Sequence, residues 1–235
     1  MTTPSTQNRM QRRLIPATPR SIDFAGAARR RLLGKFVLAG SLAAIGGCAI
    51  GPTPRPPATM HDFGLAPALA AQPVRIRASL AVPDAVGPGW LDSNSIIYRF
   101  AYVDGGQPRA YSRSRWAGTP TEMITTRLRS RIAAVAQPGL ASSRDGVQSD
   151  YLLRLELEEF SQVFDAPGQS RGLVRARTTL IGGARRVTVA QRSFSVERPA
   201  PSQDAAGAAA ALTAASDEMI DAVVDWIAAS LPAAR

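Results

Sequence analysis

The alternation of apolar and polar side chains divides most of this chain into short elements. Val74, Ile76, Ala78, Leu80 and Val82 alternate with Arg75, Arg77 and Ser79, the period-two pattern of a half-buried strand. Pro83 and Gly87-Pro88-Gly89 end it. Ile96 to Val103 reads as a second strand, central because apolar residues flank Arg99 on both faces. Asp104-Gly105-Gly106-Gln107-Pro108 is a turn, and Arg109 to Arg115 forms a third strand. Thr119-Pro120-Thr121-Glu122 then carries a helix start: a capping threonine, a proline in the first turn, and the glutamate of a capping box. Ile124, Leu128, Ile132 and Val135 mark its buried face, and Gln137-Pro138-Gly139 ends it. Arg127, Arg129 and Arg131 fall mostly away from that face, as a solvated row or, alternatively, a contact for anionic lipid.

The pattern then repeats. Tyr151 to Phe160 alternates strictly, with Leu153, Leu155 and Leu157 inward and Arg154, Glu156 and Glu158 outward. Val174, Ala176, Thr178 and Leu180 predict a fifth strand, and Gly182-Gly183 a hairpin turn. Val187 and Val189 open a sixth strand out of phase with Phe194 and Val196, so a bulge between Ala190 and Ser193 is expected. From about Gln203 to Leu231, Leu212, Met219, Val223, Trp226 and Ile227 recur at helical spacing. The order is three strands, a helix, three strands, a helix. An α+β fold satisfies it: one mainly antiparallel or mixed sheet of about six strands with both helices on one face. The other face would show Arg75, Arg77, Arg154, Glu156, Glu158, Arg175 and Arg177 to solvent.

The beginning of the chain follows a different logic. Arg29, Arg30, Arg31 and Lys35 precede an apolar run from Phe36 to Ile45, which ends in Gly46 and Gly47 before Cys48, the only cysteine. Roughly 20 apolar residues are needed to span a membrane, and this run is about half that. Its order is that of a bacterial lipoprotein signal. The small residues Gly46 and Gly47 let the cleaved backbone lie close in the peptidase, with Ile45 and Ala49 completing the flanks. Cys48 becomes the first mature residue and carries acyl chains of the palmitate type, each buried methylene contributing about 0.8 kcal/mol. The Arg29-Arg30-Arg31-Leu32-Leu33 string with Lys35 loosely resembles a twin-arginine export motif, as an alternative to ordinary secretion. Residues 1–47 are therefore a removable signal with a basic leader, 48–60 a lipidated proline-rich tether, and 61–235 the folded domain.

Removing the leader changes the charge. The full chain carries +10, but +7 of it lies before Cys48 and only +3 after. The nucleic-acid reading that a strongly basic protein invites loses its support. An acylated Cys48 also leaves no thiol for a disulfide, a metal or a nucleophile. His61, the only histidine, stands beside the tether in an expectedly poorly ordered position, which leaves an anchored hydrolase little to work with. The sequence nominates no catalytic residue, metal ligand or cofactor. Two tryptophans are candidate partner contacts. Trp116 sits at a strand-to-helix junction, where a core plug is the first reading and a partner anchor the second. Trp90, on the Gly87-Pro88-Gly89 loop, is the better candidate for exposure.

Several strings together carry a family resemblance. Ile97-Tyr98-Arg99, Tyr111-Ser112-Arg113-Ser114-Arg115-Trp116-Ala117, and Thr119-Pro120 before a helix with Met123 and Leu128 resemble the ABC-type transport auxiliary lipoprotein family, the PqiC-like group. Asp62-Phe63-Gly64-Leu65 resembles its first strand, and Ala215-Ser216-Asp217 with Asp225-Trp226-Ile227 its last helix. The resemblance spans roughly residues 60–232. It implies a non-enzymatic, periplasm-facing lipoprotein that serves a lipid transporter of the mammalian-cell-entry (MCE) type. Its implied partners are an MCE substrate-binding protein with its ABC permease and ATPase, and possible copies of itself. Ala49 is not the aspartate that retains lipoproteins at the inner membrane, so the expected destination is the outer membrane. An envelope-assembly or peptidoglycan-associated scaffold is the alternative function.

Overall fold

A computed structural model describes residues 57–65, 73–141, 148–182 and 186–231; the signal, Cys48 and most of the tether lie outside the described residues. Among these residues seven strands form one sheet: β1 (Thr59–His61), β2 (Leu80–Ala81), β3 (Ser95–Phe100), β4 (Gly105–Trp116), β5 (Tyr151–Ala166), β6 (Gln169–Gly182) and β7 (Thr188–Pro199). Their spatial order is β1-β4-β3-β5-β6-β7, with β2 added on β5. Three helices accompany them: the single turn α1 (Ala101–Asp104), α2 (Pro120–Ala133) and α3 (Ala205–Ser230). The mixed α+β fold with one open sheet is the expected one.

β5 is the spine. On one edge it pairs antiparallel with β6 along almost its whole length. Three segments share the other edge. β2 lies parallel to its start (Leu80↔Tyr151), Val86 bridges to Glu156, and β3 runs parallel to its second half (Tyr98↔Gln162 to Phe100↔Phe164). The sequence alternation places Leu153, Leu155 and Leu157 in the core. A register shift between Leu157 and Glu159 then puts Phe160 on the core side, opposite Val174.

Four local expectations are corrected. Residues 76–82 alternate in burial as predicted, with Ile76 and Leu80 fully enclosed, whereas Val74 is exposed. Only Leu80–Ala81 is strand, however, because most of the segment bonds to the chain leaving α2: Ile76 N donates to Val135 O (3.1 Å) and Gln137 N to Ile76 O (2.8 Å). The second strand stops at Phe100, and Ala101–Asp104 turns helical, so Tyr102 and Val103 point outward. The shift in β7 lies between the pairs Leu180↔Ala190 and Ile181↔Thr188, one step before the predicted window, and leaves Val187 and Val189 exposed. Arg75, predicted on the open sheet face, instead reaches Asp225 of α3 at 2.5 Å. The rest of that face is charged as expected, with Arg154–Glu156 at 2.8 Å and Arg177–Glu158 at 2.7 Å.

α3 crosses the sheet so closely that a Cβ on Gly172 of β6 would stand 2.8 Å from the backbone of Ala211 and Leu212. The alanines of α3 permit this approach: Ala208, Ala211 and Ala215 are buried against the strands. α2 lies beside α3, and its Ile124, Leu128 and Ile132 join the same core.

α3 starts on a polar cap. Asp204 Oδ1 accepts from Gly207 N (2.8 Å) and from Ser202 Oγ (2.6 Å). The Ser202 hydroxyl first, and the Gly207 N–H second, hold its carboxyl below the ordinary aspartate range. A depressed folded-state pKa gives stability that is complete above the unfolded value, near about 4, and is lost as pH falls through the folded value. Asp204→Ala is therefore expected to lower the unfolding free energy by about 1 kcal/mol at neutral pH. The gap to wild type should narrow in acid below about pH 4, as urea titrations at the two pH values would show. A gap independent of pH would contradict a charged cap.

Candidate partner-binding surface

The residues singled out in the sequence separate on folding. Trp116 ends β4 and is completely buried, its ring edge-on to Phe63 (centroids 5.9 Å) and tilted against Phe160 (5.6 Å). With no accessible surface it is withdrawn as a partner contact: the chain turns into α2 directly after it, and the helix closes over the junction. Trp90 sits on a 3₁₀ turn (Gly89–Leu91) and is half-buried. The Arg99 guanidinium lies 5.0 Å from its ring centroid, while Arg99 Nε stands 3.2 Å from Glu159 Oε2. The cation covers part of the indole that the loop position had promised to solvent. His61 is held in β1, its carbonyl accepting from Ala117 N at 2.7 Å, contrary to the poorly ordered position expected.

The arginine row of α2 is the larger correction. Arg127 is buried; its Nε lies 3.3 Å from Asp217 Oδ1 and its Nη2 donates to the Phe63 carbonyl. Arg131 Nε meets Asp221 Oδ1 at 3.1 Å. Arg129 donates to the Val82 carbonyl at 2.6 Å and to Asp84 at 3.0 Å. The row is thus engaged by the acidic flank of α3 and by the 82–84 loop: Arg127 and Arg131 are withdrawn from solvent, and Arg129 stays half-exposed. A solvent-facing reading of a helix cannot detect a second helix that carries the complementary charges.

Through Arg127 this packing shapes a groove. Gly64 adopts φ +66°, and its N–H donates to Asp62 Oδ1 at 2.7 Å, folding the chain after β1 into a tight turn. The Arg127 guanidinium supports that turn from beneath, 5.9 Å from the Phe63 ring. Between the turn and α2 opens a cleft of about 490 Å³, lined by Asp62, Phe63, Gly118, Met123, Thr126 and Ser130 among others. Met60 and Leu65 beside it are exposed. At its rim the capping box forms as predicted: Glu122 N donates to Thr119 Oγ1 (3.3 Å) and Thr119 N to Glu122 Oε2 (2.9 Å).

A second polar unit had no counterpart in the sequence reading. Tyr111 Oη donates to Gln162 Oε1 at 2.5 Å, and the fully buried Gln162 passes its Nε2 hydrogens to Ser170 Oγ (2.9 Å) and the Ser202 carbonyl (3.3 Å). Burial, and then the charge of Asp204, push the Tyr111 phenol up to about 12, so it stays a donor at neutral pH. A glutamine in the largely apolar run Phe160-Ser161-Gln162-Val163-Phe164 was the available signal.

Among the described residues no three His, Cys, Asp or Glu side chains gather as metal ligands would, and no helix is long and apolar enough to cross a membrane. What the fold offers is a clefted α+β module whose polar groups build the scaffold. The chain belongs to the ABC-type transport auxiliary lipoprotein component family, whose model matches residues 63–224. The fold is similar to that of a Xanthomonas campestris protein of the DUF330 family, at 21% identity and TM-score 0.59, covering 74% of this chain and 92% of that one. It is similar also to a second uncharacterized protein, at 13% identity and TM-score 0.53, covering 73% and 99%. No curated protein sequence matches it.

Proposed function

We propose that this protein is a lipid-anchored, outer-membrane auxiliary subunit of an MCE-type ABC transporter that moves phospholipid between membranes. The observation that carries the reading is the family match over residues 63–224, downstream of residues 1–47, which we read as a lipoprotein signal. The auxiliary lipoprotein role comes with the family. The outer membrane rests on Ala49, and the MCE partner on the resemblance of the Tyr98, Tyr111–Ala117 and Thr119-Pro120 strings. In this role the domain works by holding a partner, which agrees with arginines and polar groups spent on packing.

In cells crosslinked before lysis, the protein should co-purify with an MCE-domain protein and its permease and ATPase. Fractionation should place the wild type in the outer membrane and Ala49→Asp in the inner membrane. Recovery of cell-wall assembly proteins in place of the transporter would replace this reading with a scaffold. Both variants in the inner membrane would overturn the assigned destination.

A further inference from the structure

We propose that the tip of the β3–β4 hairpin is a second membrane contact, which docks on the same phospholipid surface that holds the acyl anchor. The proposal rests on the reading of Cys48 as lipidated and adds a site on the folded domain.

The first observation is the tip itself. Where the sequence pattern called for strand, Ala101–Asp104 makes one helical turn and pushes Tyr102 and Val103 out of the sheet, 46% and 68% exposed. They are backed by an aromatic stack. Tyr102 meets Phe100 at 5.7 Å, Phe100 meets Phe164 at 5.1 Å and Tyr98 at 5.3 Å, and Tyr98 meets Tyr111 at 4.8 Å. Phe164 is buried and Tyr111 is fastened to Gln162, so the tip is braced from inside the domain. An exposed apolar side chain next to a tyrosine, with aromatic rings behind it, suits the boundary between headgroups and acyl chains.

The second observation is charge. The strand leaving the tip carries Arg109, which has no carboxylate within ion-pair distance among the described residues. The Arg109 guanidinium lies 5.3 Å from the Phe100 ring centroid, at the base of the tip. An arginine beside an apolar tip is placed to meet a phosphate headgroup, most strongly in an anionic surface.

The third observation is reach, and it selects the lipid over other occupants. β1 runs parallel to β4, with Thr59 opposite Ser114. The chain therefore enters β1 from the side of the hairpin tip. From Ser114 back to Gly105 is about 30 Å of strand, at roughly 3.3 Å per residue. From Cys48 to Thr59, a proline-rich chain spans about 34 Å, at roughly 3.1 Å per residue. The two lengths match, so an anchor at Cys48 and the tip at Tyr102-Val103 can meet one plane. An antiparallel β1 would have sent the tether away from the tip.

The test uses the acylated full-length mature protein in vesicles of phosphatidylethanolamine and phosphatidylglycerol. Val103→Cys supplies a free thiol for an environment-sensitive dye, and Arg175→Cys supplies a control on the open sheet face. The dye at 103 should shift to the blue and be quenched about three-fold more by shallow spin-labelled lipid than the dye at 175. One dye per chain with solvent-like emission at both positions overturns the hairpin contact alone. A blue shift that requires crowded protein, or an added MCE partner, overturns it in favour of a protein occupant. Two dyes per chain means that Cys48 is free, which overturns the anchor and this proposal with it.

Discussion

Trp116→Ala is expected to lower the unfolding free energy by about 3–5 kcal/mol, the usual cost of deleting a large buried aromatic. Trp116 lies where β4 hands the chain to α2, and its ring touches both Phe63 and Phe160. Its removal would open a cavity under the capping box and beside the Arg127-supported turn at once. Domains of this size are stable by only about 5–15 kcal/mol, so the variant should be marginal. Trp116 Nε1 is buried without an acceptor among the described residues, so the side chain acts through its apolar surface. Trp116→Phe should consequently cost less than half as much. Urea titrations of the three proteins check the ranking, and equal losses for Phe and Ala would point instead to a hydrogen bond.

Cys48→Ser should move the protein from the membrane pellet to the soluble fraction. With each buried methylene contributing about 0.8 kcal/mol, the two or three acyl chains proposed on Cys48 would outweigh any other membrane contact. The proline-rich tether is proposed to separate anchor from core, so the thermal midpoint should change by less than about 2 °C. Fractionation and a melting curve measure the two effects separately. A variant that fails to fold would move the domain boundary upstream of residue 60.

Strand identity and burial were legible wherever side chains alone decide them. Leu153, Leu155, Leu157, Val174, Ala176 and Leu180 sit in the core as their period requires, and the Thr119–Glu122 box caps α2 as written. Pairing was less legible, because alternation reports which face is buried and not which backbone lies alongside. Residues 74–82 show this: an extended segment with a correct buried face, bonded mostly to the exit of α2. The helical turn at Ala101–Asp104 was hidden by the apolar Tyr102 and Val103, which read as a continuation of β3. Arg127 was misread because its partners, the Phe63 carbonyl and Asp217, are far away in sequence. At the surface the sequence offered tryptophans, and folding buried one and half-covered the other. The groove beside the Asp62–Gly64 turn depends on a positive-φ glycine and a distant guanidinium, a combination no local pattern announces.

The shared edge of β5 also dictates an order of assembly. β2, Val86 and β3 all pair with β5, yet they precede it in the chain. β5, β6 and β7 form a meander of neighbouring strands, and α3 packs on it directly afterwards, so this half can form from nearby segments. Pairings between distant segments carry larger loop-closure costs and form more slowly. The strands that precede β5 keep open edges until the meander has formed. The N-terminal side of the sheet is the last to lock.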